Sequence, residues 1–325
     1  MAVEPLSEEQ ARALSNLEQR YGVWMEAERA LAALPYDLRR KAVGDKAYLY
    51  EIFDRSGNGK SLGAWSQDRR TQLARYRKEK ASAKERRRQS GLRLKESGRL
   101  GRALRLGVLA NVAGQILREA DRRALLGTHL LVVGTNALAA YAVEAGGFIR
   151  GAPEETDDFD LAWAATEAVG ERTLWEMLKA VDDTFTVNME RTFQARNANA
   201  YEVEVVVAPS RASTITRTDR PRPLPLPEQE WLLRGAAVDR VVLCRDGSAA
   251  RIVAPDPRWF ALQKLWLGRQ AKRNALKRAK DRKQGAALLD AVKEAMPQYP
   301  LNRAFERSLP AELADAYARW KAGKP

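Results

Sequence analysis

Three observations predict an α+β fold: a mixed β-sheet core with helices packed on it, flanked by a basic helical N-terminal region and a C-terminal helical bundle. Between residues 129 and 209, hydrophobic runs of strand character are separated by helical stretches, an order that permits a mixed sheet under helices. The net charge of +14 is uneven, with fifteen Lys and Arg against three Glu in residues 69–105. From Asp256 onward the chain reads as helix, after a proline-rich stretch at 220–231. At 325 residues and 45% hydrophobic, the chain can bury more than one core. The expected organisation is a basic, mostly helical region at 1–125, a central domain at 126–255 and a helical domain at 256–325.

In residues 8–34, Leu14, Leu17, Tyr21, Trp24 and Leu31 fall at helical spacing. "AYLYEIFDRSGNGKSLGAW" (47–65) alternates, turns at "SGNG" and resumes, which predicts a hairpin. Its "GNGKS" is no phosphate-binding P-loop, because Asp54 stands where that motif needs its first glycine. Residues 66–100 predict a long exposed helix, and 102–124 a second helix with Leu104, Leu106, Val108, Leu109, Val112, Ile116 and Leu117 on its apolar side.

"HLLVVG" (129–134) then predicts a buried strand, and "TNALAAYAVEAG" (135–146) a helix ended by glycines. Further strands are expected at "DFDLAWA" (158–164), "TFTVNME" (184–190) and "YEVEVVVAP" (201–209), with a helix at 170–183. The segment "RPRPLPLPEQEW" reads as a linker, and "DRVVLCRDGSAARIVAP" (239–255) as a hairpin around Asp246-Gly247.

Composition narrows the chemistry. A single cysteine, Cys244, excludes an internal disulfide and any multi-cysteine zinc site, which suits a reducing cytoplasm. His129 is the only histidine, so histidine-cluster metal sites have no material. The first twenty residues lack the basic and apolar regions of a signal peptide. The uncharged run 124–143 has the length of a membrane span, but its glycine, threonine, histidine and asparagine residues favour a strand, turn and helix. The basic density of 69–105 predicts attraction to a polyanion through counterion release.

The acids are the sharper signal. On a strand, Asp158 and Asp160 share one face while Phe159 points to the other. Side-by-side like charges are costly unless a cation lies between them. Mg²⁺ takes oxygen ligands and is commonly held by one or two carboxylates plus substrate phosphates. "YEVEVVV" offers a further acid from a neighbouring strand, either Glu202 or Glu204. Upstream, Gly134-Thr135 ends a strand and opens a helix, where the backbone can approach a phosphate closely. Thr135 or Asn136 can equally serve as that helix's cap.

Together "VVGTNALAAY", "DDFDLA" and "VEV" resemble the nucleotidyltransferase superfamily with the DNA polymerase β-type fold, above all its bacterial, uncharacterised and toxin-related branches. The resemblance covers roughly 128–290. It implies Mg²⁺ or Mn²⁺ bound by Asp158, Asp160 and Glu204, with Glu204 preferred over Glu202 for its "VEV" context. Gly134 and Thr135 would hold the phosphates of an NTP. The segment 257–292 resembles the helices after the sheet in toxin-like members, which implies that Lys264 reaches the triphosphate and that Lys280 and Asp281 support the site. The implied reaction is transfer of an NMP from NTP to an acceptor hydroxyl, with tRNA or another RNA as acceptor, held through residues 69–105. Two alternatives stay open: an inactive RNA- or partner-binding protein on the same fold, and a toxin–antitoxin component modifying a protein or small molecule. The sequence departs from the pattern in the long insertion "GGFIRGAPEET" and in Glu where aspartate is usual.

Overall fold

Short local signals set the first elements of the chain, here described from a computed structural model that covers residues 1–152, 158–168 and 173–323. Strand β1 (Val3–Pro5) precedes helix α1 (Glu8–Ala32), whose first turn carries Glu8 and Glu9 where the helix dipole favours acids. β2 (Asp37–Val43), β3 (Lys46–Ile52) and β4 (Gly59–Ala64) form an antiparallel meander, and α2 (Gln67–Ala103) follows. The hairpin and the long basic helix stand where they were expected. β2 was not foreseen, since "DLRRKAV" is too polar to read as a buried strand. By its contacts the chain forms two compact units. One is Gln19–Ser97; the other joins Met1–Glu18 to the chain from Gly98 onward, so residues 98–125 and the C-terminal helices pack in one unit with the central sheet.

In the first unit, Leu38 and Leu49 of the meander are buried against Leu73 and Tyr76 of α2. Tyr76 donates its hydroxyl proton to Pro35 O (3.0 Å), so its polar end is satisfied.

The second unit continues with β5 (Gly107–Leu109), α3 (Asn111–Arg122), β6 (Leu130–Val133), α4 (Leu138–Glu144) and β7 (Gly147–Ile149). The expected helix at 102–124 is therefore broken. Arg105 turns left-handed (φ 60°), and β5 pairs in parallel with the later strand carrying Leu243 and Cys244 before α3 begins. A short apolar run is compatible with either structure, and here the non-local pairing wins. β7 pairs antiparallel with β1, so part of the supposed insertion is sheet; residues 153–156 of that insertion lie outside the described residues.

Next come β8 (Asp158–Trp163), α5 (Thr173–Val181), β9 (Thr186–Val187), β10 (Gln194–Arg196), β11 (Glu202–Val207) and β12 (Leu224–Pro225). The start of the helix expected at 170–183 falls on residues outside those described. The main sheet is ordered β6-β8-β11-β10-β9, with β12 also on β11. It is mixed: β8 and β11 are parallel, whereas β6–β8 and β10–β11 are antiparallel. The proline-rich stretch is thus no linker. Leu224 and Pro225 extend the sheet edge beside Val206 and Val207, a place where proline's missing N–H is tolerated.

β13 (Val238–Cys244) and β14 (Ala249–Ala254) form the expected hairpin, and α6 (Pro257–Leu267), α7 (Ala275–Ala295), α8 (Arg303–Arg307) and α9 (Ala311–Lys321) complete the chain. Asp256 caps α6 by accepting from the Arg258 N–H, and Asn274 caps α7 by accepting from the Leu276 and Lys277 N–H groups. At Gly285 a Cβ would lie 2.7 Å from Ala261 O, so only glycine lets α7 approach α6 this closely. Phe159, Leu161, Val203, Val205, Phe260 and Leu288 are fully buried in the common core. Burial of each such side chain contributes about 1.5–3 kcal/mol. Cys244 is buried there too, with burial pushing its thiol pKa up. Among the described residues no helix is long and apolar enough to cross a membrane.

Candidate active site

Strand periodicity builds the acidic side of the site. Phe159 and Val203 face the core, so Asp158, Asp160, Glu202 and Glu204 emerge on the other face of adjacent strands. The parallel register sets Glu202 opposite Asp158 and Glu204 opposite Asp160. The two glutamates then diverge. Glu202 ion-pairs with Arg196 and accepts from Gln194 Nε2 at 2.8 Å, whereas Glu204 accepts from Gln194 Nε2 at 3.0 Å and lines a cleft with Asp158 and Asp160.

Gly134 closes the cleft from the next strand. Val133 pairs with Asp160 across the antiparallel β6–β8 ladder, and the chain then turns at Gly134 with φ 66°. A Cβ there would stand 1.9 Å from Asp160 Oδ2, so glycine is required by conformation and by space together. Neither following side chain caps the helix as expected. Asn136 donates instead to Asp158 O (3.0 Å), tying the turn to the start of the acidic strand, and Thr135 Oγ1 accepts from Gln284 Nε2 (3.3 Å). Gly134→Ala is expected to cost about 1–2 kcal/mol from the left-handed backbone alone. It should also swing the Asp160 carboxylate out of the cleft, so Tm and turnover fall together, measured by thermal melting and by initial rates.

The opposite wall is basic. Lys264 is 6% exposed and its Nζ lies 3.0 Å from Asp281 Oδ1; Asp281, 2% exposed, also receives Arg273. Lys264 lines the cleft, and its ammonium is paired there with Asp281. Lys277 Nζ lies 3.7 Å from Asp158 Oδ2, and Lys280 lines the same cleft. Burial holds the Lys280 ammonium below its usual pKa; Asp158 opposes that, while the charge of Lys264 adds to it. The Asp160 carboxyl is pushed up to about 7, first by burial and then by the charges of Asp158 and Glu204. A basic wall facing a carboxyl of raised pKa in one cleft is a pattern of functional sites.

The cleft measures about 210 Å³. All the residues singled out from the sequence border it: Gly134, Thr135, Asp158, Asp160, Glu204, Lys264, Lys280 and Asp281. Arg273 and Lys277 were not singled out, although the spacing of 277, 280, 281 and 284 marks one face of α7. Leu226 and Gln229 were missed because their segment read as linker.

An all-oxygen carboxylate set suits a hard divalent cation such as Mg²⁺ or Mn²⁺. Among the described residues no three Asp, Glu, His or Cys side chains stand in a ready-made metal-holding group. Glu204 accepts from Gln194, and Asp158 lies against Lys277.

A family profile described as "Nucleotidyltransferase" matches residues 111–310. The chain belongs to this nucleotidyltransferase family. The match spans the whole site, from the Gly134 turn through the acidic strands to α7. Among solved structures, an antigenic nucleotidyltransferase-like protein from Paracoccidioides brasiliensis is similar at 18% identity, over 67% of this chain and 91% of that one, with a TM-score of 0.36. A search of the curated proteins finds no match.

Proposed function

We propose that this nucleotidyltransferase moves an NMP from an NTP to an acceptor hydroxyl of RNA, using the cleft between the acidic strands and α7. The observation that carries the reading is the convergence of Asp158, Asp160 and Glu204, from two parallel strands in register, upon a glycine turn faced by a basic helix. Asp158, Asp160 and Glu204 would hold Mg²⁺ or Mn²⁺, and such an ion neutralises triphosphate charge and lowers the pKa of an acceptor hydroxyl. Gly134, which lets the Asp160 carboxylate lie against the turn, lines the cleft with Thr135 where the phosphates would be held. Lys264, Arg273, Lys277 and Lys280 supply positive charge to the triphosphate, and Asp281 positions Lys264 and Arg273. The acceptor oxygen attacks the α-phosphorus, the bond to the β-phosphate oxygen breaks and pyrophosphate leaves. Glu204 accepts the hydroxyl proton. Positioning and electrostatics suffice for such a transfer, so a chain with one histidine is adequate.

The direct test offers each of the four NTPs, radiolabelled at the α-phosphate, with Mg²⁺ or Mn²⁺ to total cellular RNA and protein. Label in RNA with at least one NTP is the expected result. Label confined to protein would replace the RNA acceptor by a protein one, and the absence of label together with no nucleotide-dependent rise in Tm would leave a binding protein.

The acceptor assignment rests on α2, where residues 69–105 carry the fifteen-to-three excess of basic residues. Arg77, Lys78 and Lys84 are exposed on this helix. Replacing all three with glutamine is expected to weaken RNA binding and to flatten the slope of log Kd against log salt, by about 0.7–0.9 for each phosphate no longer neutralised. Filter binding across a salt series reads it; an unchanged slope would remove α2 from the RNA interface.

A further inference from the structure

The unit Gln19–Ser97 holds more than a charged helix. It carries twenty Lys and Arg against ten Asp and Glu, and one face of its three-stranded sheet is committed to packing. Leu38 and Leu49 occupy that face and are buried against α2. On the opposite face the register places Arg39 beside Tyr50 and Lys41 beside Tyr48. Ser61 of β4 stands on the far side of Tyr50. Arg39 and Ser61 are exposed, while Lys41, Tyr48 and Tyr50 are half-buried. The Lys41 ammonium lies 5.0 Å from the centroid of the Tyr50 ring, a cation–π distance. Arg39 pairs with Asp37 at the surface, where an ion pair holds its partners only weakly.

We infer that this sheet face binds single-stranded nucleic acid by stacking bases on Tyr48 and Tyr50, with Arg39 and Lys41 taking the adjacent phosphates. Two rings at i and i+2 on one strand face stand about 7 Å apart, a platform for successive bases of an extended strand. A helix of lysines and arginines offers charge without ring faces, so it draws in any polyanion; the sheet adds a preference for strands whose bases are unpaired. Arg39 and Lys41 are already arrayed beside the rings, which gives the face the sign and the chemistry of its partner. This extends the RNA-acceptor reading and shares with it the premise that this unit meets nucleic acid; it requires no transferase activity.

The test is fluorescence anisotropy of the full chain, without NTP or metal, on a labelled single-stranded oligonucleotide and on the matching duplex. Tyr48→Ala/Tyr50→Ala is expected to weaken single-strand binding about ten- to hundredfold, with duplex binding and the salt slope little changed. Tyr48→Phe/Tyr50→Phe keeps the rings and is expected to bind as the unaltered protein does, which separates stacking from misfolding. Equal loss on both nucleic acids, tighter binding to duplex than to single strand, or no loss in the alanine variant would each overturn the inference, as would an unaltered protein that binds no single strand. If the alanine variant binds normally while the Arg77, Lys78 and Lys84 variant loses its salt slope, the sheet face fails and the RNA reading stands.

Discussion

Asp160→Asn is expected to lose nucleotidyl transfer by at least a hundred- to thousandfold while becoming more stable in the absence of metal. Both effects have one cause. Asp160 sits beside Asp158 and opposite Glu204, under the Gly134 turn, and burial with these charges raises its carboxyl pKa to about 7. A carboxyl whose pKa is higher in the folded state than unfolded lends stability that is fully present below its unfolded pKa, near 4, and is lost as pH rises through about 7. At pH 8 in a chelator the charged form therefore strains the fold, and asparagine removes that charge at nearly constant volume. A gain of about 1–2 kcal/mol is expected after allowance for partial solvent contact. The measurements are initial rates of label transfer and melting curves in chelator at pH 5 and pH 8, with the stability difference larger at pH 8 than at pH 5. Asp158→Ala should lose activity to a similar extent. A variant that transfers label at the rate of the unaltered protein would end the assignment of these acids to catalysis.

Asp281→Ala carries the second large effect. Lys264 and Asp281 are both almost completely enclosed, and their 3.0 Å contact is the means by which a buried ammonium is tolerated between α6 and α7. Removing one partner of a buried pair leaves an uncompensated charge and costs about 3–5 kcal/mol. Arg273 also loses its carboxylate, but it is 30% exposed and can turn to water, so the penalty falls on Lys264. Chemical denaturation should show the effect as a lower midpoint at unchanged m-value. The double variant Lys264→Met/Asp281→Leu restores much of the stability, since apolar replacement of both partners removes the desolvation cost. Its transfer rate should stay low, because Lys264 also lines the cleft. Asp281→Ala within about 1 kcal/mol of the unaltered protein would show that this pair does not hold the helices together.

Some of this architecture is legible along the chain because its cause is local. Two aspartates around Phe159 share a strand face by the period of two, and the same rule sets Glu202 and Glu204. The long helix α2 follows from an unbroken polar run without proline, and the two hairpins from turn residues between alternating segments. The site's other parts have no such marker. Leu226 and Gln229 sit in a proline-rich stretch whose composition reads as linker, and only its docking beside β11 brings them to the cleft. Leu104 to Leu109 satisfies helical spacing until a parallel partner far along the chain draws Gly107–Leu109 into a strand.

The sequence by itself determined the chemistry on offer: carboxylates in pairs, a glycine where a backbone must come close, a helix of positive charge, and almost no histidine or cysteine to do anything else. Tertiary structure alone decided that Leu226 and Gln229 join the cleft, and that Lys264, which lines it, pairs there with Asp281. The reason is physical. Side-chain direction repeats with the local backbone, whereas the choice of partner depends on strands and helices distant in sequence, whose register and packing no local spacing encodes.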